Sequence, residues 1–306
     1  MAIDESRQGL PRCVSVARQE FAERYWDRAP LLSPGLSDYL DLLTLDGVDE
    51  LLGGRALRTP FVRMAKDGHV IPAARYTGGG GAGAEIGDQV HDEKVLALLA
   101  DGATLVLQGL HRMSPPLVAF AATLRQELGT PVQINAYLTP PQSRGFDPHY
   151  DTHGVFVLQV SGRKRWLVHE PVLEAPVPRQ AWGGVADEVA AAAGARPAID
   201  AVLTPGDALY LPRGWVHAAT TEGEWSLHRL LRRRSSHRPG RPPAPRGRPA
   251  RPRRRRPDRA DPAPAARGRA RAGVNQSAAA LGPAPAARAR PLARPQPSMP
   301  RSRLAV

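Results

Sequence analysis

A chain of 306 residues, 42% of them hydrophobic, has enough apolar surface for an enzyme-sized core. Its formal charge of +13 is gathered at one end: residues 229–306 hold 22 arginines and no lysine against Asp258 and Asp261, a net +20, which leaves residues 1–228 at −7. That mildly acidic portion has no basic face for nucleic acid. The single cysteine, Cys13, excludes an internal disulfide or a Cys-rich zinc cluster, and no stretch reaches the ~18 uncharged apolar residues of a membrane span. The polar start MAIDESRQGL carries no signal-peptide core, so a reducing cytoplasm is the expected compartment.

In chain order, Val14, Ala17, Phe21 and Tyr25 recur at helical spacing ahead of Ala29-Pro30 and predict an amphipathic helix over 14–28. Helices are also expected over 38–52 and 90–100, a buried strand over 103–109, and a proline-started helix over 115–128. Residues 1–130 therefore read as a helical lead-in. TGGGGAGAE, 77–85, lacks the Gly-Lys-Ser/Thr ending of a phosphate loop and is expected to be a surface loop. After Pro131 the period changes: VQINAYL, GVFVLQV, KRWLVH, GDALYL and GWVHAAT are short, rich in β-branched and aromatic residues, and bounded by Gly or Pro. They predict a strand-rich barrel or sandwich over 131–228, with the Ala-rich segment 186–195 as a helix or loop excursion between strands.

The stretch FDPHYDTHGVFVLQV, 146–160, places His149 and Asp151 two apart at the head of a strand, where both can face one point. His217, in LPRGWVHAAT on a later strand, can supply a third ligand. Two histidines and one carboxylate on one face of a metal leave the remaining positions open, an arrangement favoured by non-haem Fe(II) oxygenases. Lys164, in GRKRW on a neighbouring strand, can meet the far end of a dicarboxylate with its ammonium. Its neighbours Arg163 and Arg165 should point to solvent, Trp166 and Trp215 should pack in the core or pocket wall, and His228 should be a packed barrel histidine. His153 is expected beside the site, not in it, since a fourth protein ligand would block a cosubstrate. Asp147, before Pro148, should cap a turn.

NAYLTPPQSRGFDPHYDTHGVFVLQVSGRKRW followed by PGDALYLPRGWVHAAT resembles the JmjC-type cupin oxygenases of the ribosomal-oxygenase branch, and the likeness reaches back through FAERYWDRAPLL to cover about 14–228. The resemblance implies a mainly β fold with a helical lead-in, a double-stranded β-helix of the cupin jelly-roll kind. It implies His149, Asp151 and His217 as Fe(II) ligands, Lys164 as the residue binding the distal carboxylate of 2-oxoglutarate, and Tyr137 and Asn135 as pocket lining. O2 is then the second cosubstrate, and the substrate is a protein side chain, an Arg or His of a ribosomal protein, with histone-type lysine demethylation as a weaker option. Intact members of the family add a dimerisation region. A reading of a different class is a non-catalytic cupin-fold binding protein whose basic tail contacts RNA.

After SLH the chain turns within two or three residues to RLLRRRSSHRPGRPPAPRGRPARPRRRR, with 15 prolines and no aromatic residue from 229 to 306. Such a segment cannot bury enough apolar surface to order itself, and a disordered tail over 229–306 is expected, with the barrel cut short in its last strand. GC-rich codons read out of frame yield Arg, Pro, Ala and Gly, so a frameshift near codon 228 accounts for the abrupt change. The competing reading is a native basic tail that tethers the protein to RNA through phosphate contacts.

Overall fold

A computed structural model describes residues 9–83 and 85–233. The segment before the first large strands contains a single helical turn, α1 (Arg18–Glu20), continued by a wider turn over Phe21–Tyr25, then β1 (Leu31–Ser33), α2 (Leu45–Gly54), β2 (Val62–Lys66), β3 (His69–Val70), β4 (Thr77–Gly78), β5 (Gln89–Val90), α3 (Asp92–Ala100), β6 (Thr104–Leu107) and α4 (Pro115–Leu128). There follow β7 (Val132–Thr139), β8 (Val155–Ser161), β9 (Lys164–His169), α5 (Ala186–Ala193), β10 (Ile199–Leu203), β11 (Ala208–Leu211), β12 (Val216–Thr221) and β13 (Ser226–Arg233).

Eight strands form one sheet in the order β1-β11-β8-β13-β7-β6-β2-β3, three form a second in the order β10-β9-β12, and every pairing is antiparallel. The fold is thus mainly β, the double-stranded β-helix of the cupins, with its two sheets facing one another across an interior cavity. Side-chain alternation sorts the large sheet into two buried faces. Ile134, Ala136 and Leu138 of β7 and Phe156, Leu158 and Val160 of β8 join the core beneath the helices, whereas Tyr137, Val155 and Val157 face the second sheet. On the helix side, α4 lays Leu117, Phe120, Ala121, Leu124 and Leu128 into that core and ends at Gly129, whose left-handed φ of 68° lets its N–H reach the Arg125 carbonyl.

The lead-in is less helical than its spacing predicts. Ala17 is extended, with ψ at 147°, which interrupts the helix expected over 14–28; Phe21 then buries itself edge-on against Tyr210, 4.9 Å between ring centroids. Residues 38–44 stay outside α2, because Tyr39 has φ 57° and Thr44 caps the helix, its hydroxyl accepting from the Gly47 N–H at 3.1 Å. Four lead-in strands (β1, β2, β3 and β6) extend the large sheet, and β6 pairs with β7, so no structural seam separates the described residues before 131 from the barrel. The Gly-rich segment near 80 is largely exposed, and 186–193 is helical.

The last strand also departs from expectation. β13 does not stop at 228 but continues to Arg233, and it is an inner strand, paired with β7 on one side and β8 on the other. No barrel edge is opened there. The tail from Arg234 onward, including the out-of-frame and RNA-tether readings, lies outside the described residues. No helix among the described residues is long and apolar enough to cross a membrane.

Candidate metal centre

His149 and Asp151 are not residues of a regular strand. They lie in an extended segment ahead of β8, where His149 forms an isolated antiparallel bridge with His217 of β12. The two residues exchange both backbone hydrogen bonds, His149 N–H to His217 O at 3.1 Å and His217 N–H to His149 O at 2.8 Å. A residue pair bonded in this way holds its side chains on one face, and the imidazole centroids lie 4.5 Å apart. Asp151, two residues on, is tied down by its own carbonyl, which accepts from the Gly214 N–H at 2.9 Å. One donor atom from each of His149, Asp151 and His217 falls within 4.8 Å of the other two.

The ring tautomers are set by the backbone. His149 Nδ1 lies 2.7 Å from the Asp147 carbonyl and His217 Nδ1 lies 3.0 Å from the Trp215 carbonyl. A carbonyl can only accept, so each Nδ1 carries the proton and each Nε2 carries the lone pair a metal requires. Asp147, expected as a turn cap, thus acts through its main chain, while its carboxylate meets Arg144 at 3.2 Å. His153 stands outside the ligand set, its Nε2 3.7 Å from Asp151 Oδ1. The donor set and the protonation pattern fit a divalent metal bound by two imidazoles and one carboxylate.

The three residues open into a cavity of about 210 Å³ between the sheets. Tyr137, Lys164, Trp166, His228 and Leu230 form its walls, Ala218 and Ala219 leave room opposite them, and Trp182 stands near His149, ring centroids 6.3 Å apart. The metal end faces outward, with His149 and Asp151 half-buried and Trp182 38% exposed; the other end is closed, with Lys164 4% and His228 3% exposed. Lys164 Nζ donates to Thr139 Oγ1 at 3.0 Å, Thr104 Oγ1 donates to the same oxygen at 3.2 Å, and among the described residues no carboxylate neutralises the ammonium. Burial therefore pushes the Lys164 ammonium down to about 7. An uncompensated cation at the closed end is a receptor for an anion.

Of the sequence-expected site residues, the structure brings His149, Asp151, His217, Lys164 and Tyr137 into this one cavity. Asn135 is buried on β7 but does not line it. Its Oδ1 instead accepts from the Gly109 N–H at 3.1 Å and from Gln133 Nε2 at 3.2 Å, fastening β7 to the connection that precedes α4. Arg163 and Arg165 point outward as expected, Arg165 gripping Asp200 through two bonds of 2.7 and 2.6 Å. His228, read as mere packing, sits in the cavity wall, stacked on Tyr137 at 5.1 Å; its position across from Tyr137 on β13 was the available signal.

Residues 112–237 match the family model of the JmjC domain. Among curated relatives, the chain is 36% identical over 214 residues to ribosomal oxygenase 1 of Rattus norvegicus, covering 69% of this chain and 34% of the relative. It is 41% identical over 138 residues to the bifunctional lysine-specific demethylase and histidyl-hydroxylase NO66 of Drosophila melanogaster, covering 45% of this chain and 21% of the relative. The chain thus spans about a third or less of the curated relatives' length. YcfD, a ribosomal oxygenase from Escherichia coli solved in complex with cobalt and 2-oxoglutarate, aligns at a TM-score of 0.48 with 20% identity, covering 73% of this chain and 53% of that chain.

Proposed function

We propose that this protein is an Fe(II)- and 2-oxoglutarate-dependent dioxygenase that hydroxylates a protein side chain, an Arg or His of a ribosomal protein. One observation carries the chemistry: two backbone-paired histidines and Asp151 at the open end of a cavity whose closed end holds an unneutralised lysine. The names of the relatives, ribosomal oxygenase and histidyl-hydroxylase, support the substrate class. The lone buried Cys13 is in keeping with a reducing, cytoplasmic setting.

In this reading His149 and His217 offer their Nε2 lone pairs and Asp151 its carboxylate, while Lys164 holds the distal carboxylate of 2-oxoglutarate. Fe(II) with 2-oxoglutarate and O2 supplies, when bound, the oxidising chemistry that couples decarboxylation to succinate with C–H hydroxylation. The backbone bonds to Asp147 and Trp215 keep both imidazoles in the metal-binding tautomer. Trp166, Tyr137 and Leu230 keep water from the closed end, where the field of Lys164 is strongest. Trp182 and the open end admit a side chain from outside.

The test is to incubate the full chain with Fe(II), 2-oxoglutarate and peptides of ribosomal proteins containing His or Arg. The expected result is a mass gain of one oxygen atom on a His or Arg peptide, matched by succinate. Succinate without peptide oxidation for any ribosomal sequence would exclude the substrate class and leave the cofactor chemistry standing.

The low pKa of Lys164 also predicts how binding depends on pH. Below about 7 the empty cavity already holds the ammonium; above it, 2-oxoglutarate must restore the proton, so affinity falls by about tenfold per pH unit and binding takes up a proton. For the empty fold the sign is the opposite one. The unfolded chain keeps its proton up to the ordinary 10.5, so folded stability rises with pH between about 7 and 10.5. Calorimetric titration in two buffers of different ionisation heat measures the uptake; binding above pH 7 with no proton taken up would contradict the assignment of Lys164.

A further inference from the structure

The closed end of the cavity contains more polar capacity than the lysine alone. His228 is 3% exposed and lines the cavity on β13, directly across the sheet from Tyr137. Its ring stacks on Tyr137, 11° between planes, and meets Trp166 at a right angle with 5.5 Å between centroids. Those two aromatic contacts hold the imidazole in place, yet neither offers its nitrogens a hydrogen bond: Nδ1 is buried and makes none among the described residues, and neither does the indole Nε1 of Trp166. Leaving a buried polar atom unpaired forfeits its hydrogen bond to water without replacement, so a histidine here is a poor choice for packing alone.

The neighbourhood indicates what would satisfy it. Tyr137 and Thr139 share the cavity-facing side of β7, and Thr139 is the hydroxyl that receives Lys164. His228 therefore sits about one strand repeat, roughly 7 Å, from the Lys164 contact. Burial and the nearby ammonium hold the imidazole neutral, well below its ordinary range. A neutral imidazole retains one N–H donor. A cation and a fixed neutral donor side by side match the two oxygens of a carboxylate.

We propose that His228 is a binding residue for the cosubstrate, donating a hydrogen bond to the same distal carboxylate that Lys164 holds. The inference rests on the 2-oxoglutarate reading above and adds a second contact to it. The carboxylate completes a hydrogen bond the empty protein lacks, so selectivity for a dicarboxylic over a monocarboxylic 2-oxo acid depends on two residues.

His228→Phe keeps the stack on Tyr137 and removes both nitrogens. With the full chain loaded with Mn(II), titration of 2-oxoglutarate is expected to show binding weakened about tenfold or more in the variant, with Mn(II) affinity and melting temperature preserved. Binding of 2-oxovalerate, which has the 2-oxo acid head but no distal carboxylate, should be the same in both proteins. In the unsubstituted protein, the His228 ring nitrogen resonances should shift on adding 2-oxoglutarate and stay in place with 2-oxovalerate. Equal 2-oxoglutarate affinity in His228→Phe and the parent overturns this inference and leaves the cosubstrate reading intact. Absence of 2-oxoglutarate binding in the parent overturns both.

Discussion

Asp151→Ala and His149→Ala are each expected to abolish succinate production and to weaken metal binding by more than the roughly 10–100-fold typical of losing an outer-shell partner. The expectation follows from the backbone. Because His149 and His217 are paired through both main-chain hydrogen bonds, removing either imidazole leaves the other held in place with no means of moving to compensate. Asp151 supplies the only carboxylate of the donor set, and Asp151→Asn removes its charge at nearly constant volume, so it should fail almost as badly as Asp151→Ala. His153→Ala, which removes a group 3.7 Å from Asp151 and not a ligand, should lose far less. Isothermal titration with Mn(II) and a succinate assay on the same preparations measure both effects; a variant that kept metal affinity and turnover would remove its residue from the ligand set.

Arg229→Leu is expected to stabilise the protein. On β13 the side chains of Leu227, Arg229 and Leu231 alternate onto the helix-side core, and Arg229 is paired across the sheet with Ala136 on β7 and Leu158 on β8. It is fully buried. One nitrogen donates to the Tyr39 carbonyl at 2.9 Å, whereas Nε and Nη1 have no partner among the described residues. The carboxylate that attracts it, Asp41, is already held by Arg12 at 2.6 and 2.9 Å. Desolvation pushes the guanidinium down to about 9, so it is still charged at neutral pH in an apolar layer. Replacing a buried, poorly compensated charge by an apolar side chain gains about 1–4 kcal/mol, and each kcal/mol raises the melting temperature of a domain this size by roughly 2–4 °C. A melting temperature that fell in Arg229→Leu would show that the bond to Tyr39 outweighs the desolvation. We propose that the codons from about 228 onward are out of frame, Arg229 being the first residue after the composition changes; translating the other two frames of the gene tests it, since one should encode an apolar residue at this position.

What was legible in the sequence was whatever a strict period and a flanking breaker could specify. KRWLVH became β9 with no change of boundary, and PPLVAFAATLRQEL became α4, because proline at the start and Gly129 at the end leave little freedom. That His149, Asp151 and His217 come together was legible from residue type and spacing, although the structure aligns His149 through a bridge to His217 and not through a strand of its own. Short lead-in strands were not legible: Leu31–Ser33 is a strand only because β11 lies beside it, a long-range pairing that leaves no local trace. Asn135 shares a face with Tyr137 as its spacing required, but face alone does not fix depth along a strand, and its amide is used to hold Gly109. Arg229 misled in the other direction. Its charge suggested a tail, while the leucines two residues to either side continued the strand.

In the proposed function His149, Asp151 and His217 hold Fe(II), with 2-oxoglutarate reaching back to Lys164. The most direct measurement is the visible absorption of the purified chain, without oxygen, on adding Fe(II) and then 2-oxoglutarate, with His149→Ala alongside. A charge-transfer band that appears with 2-oxoglutarate and is missing in His149→Ala is the predicted result. A folded, Fe(II)-loaded protein that shows no band on adding 2-oxoglutarate would contradict it.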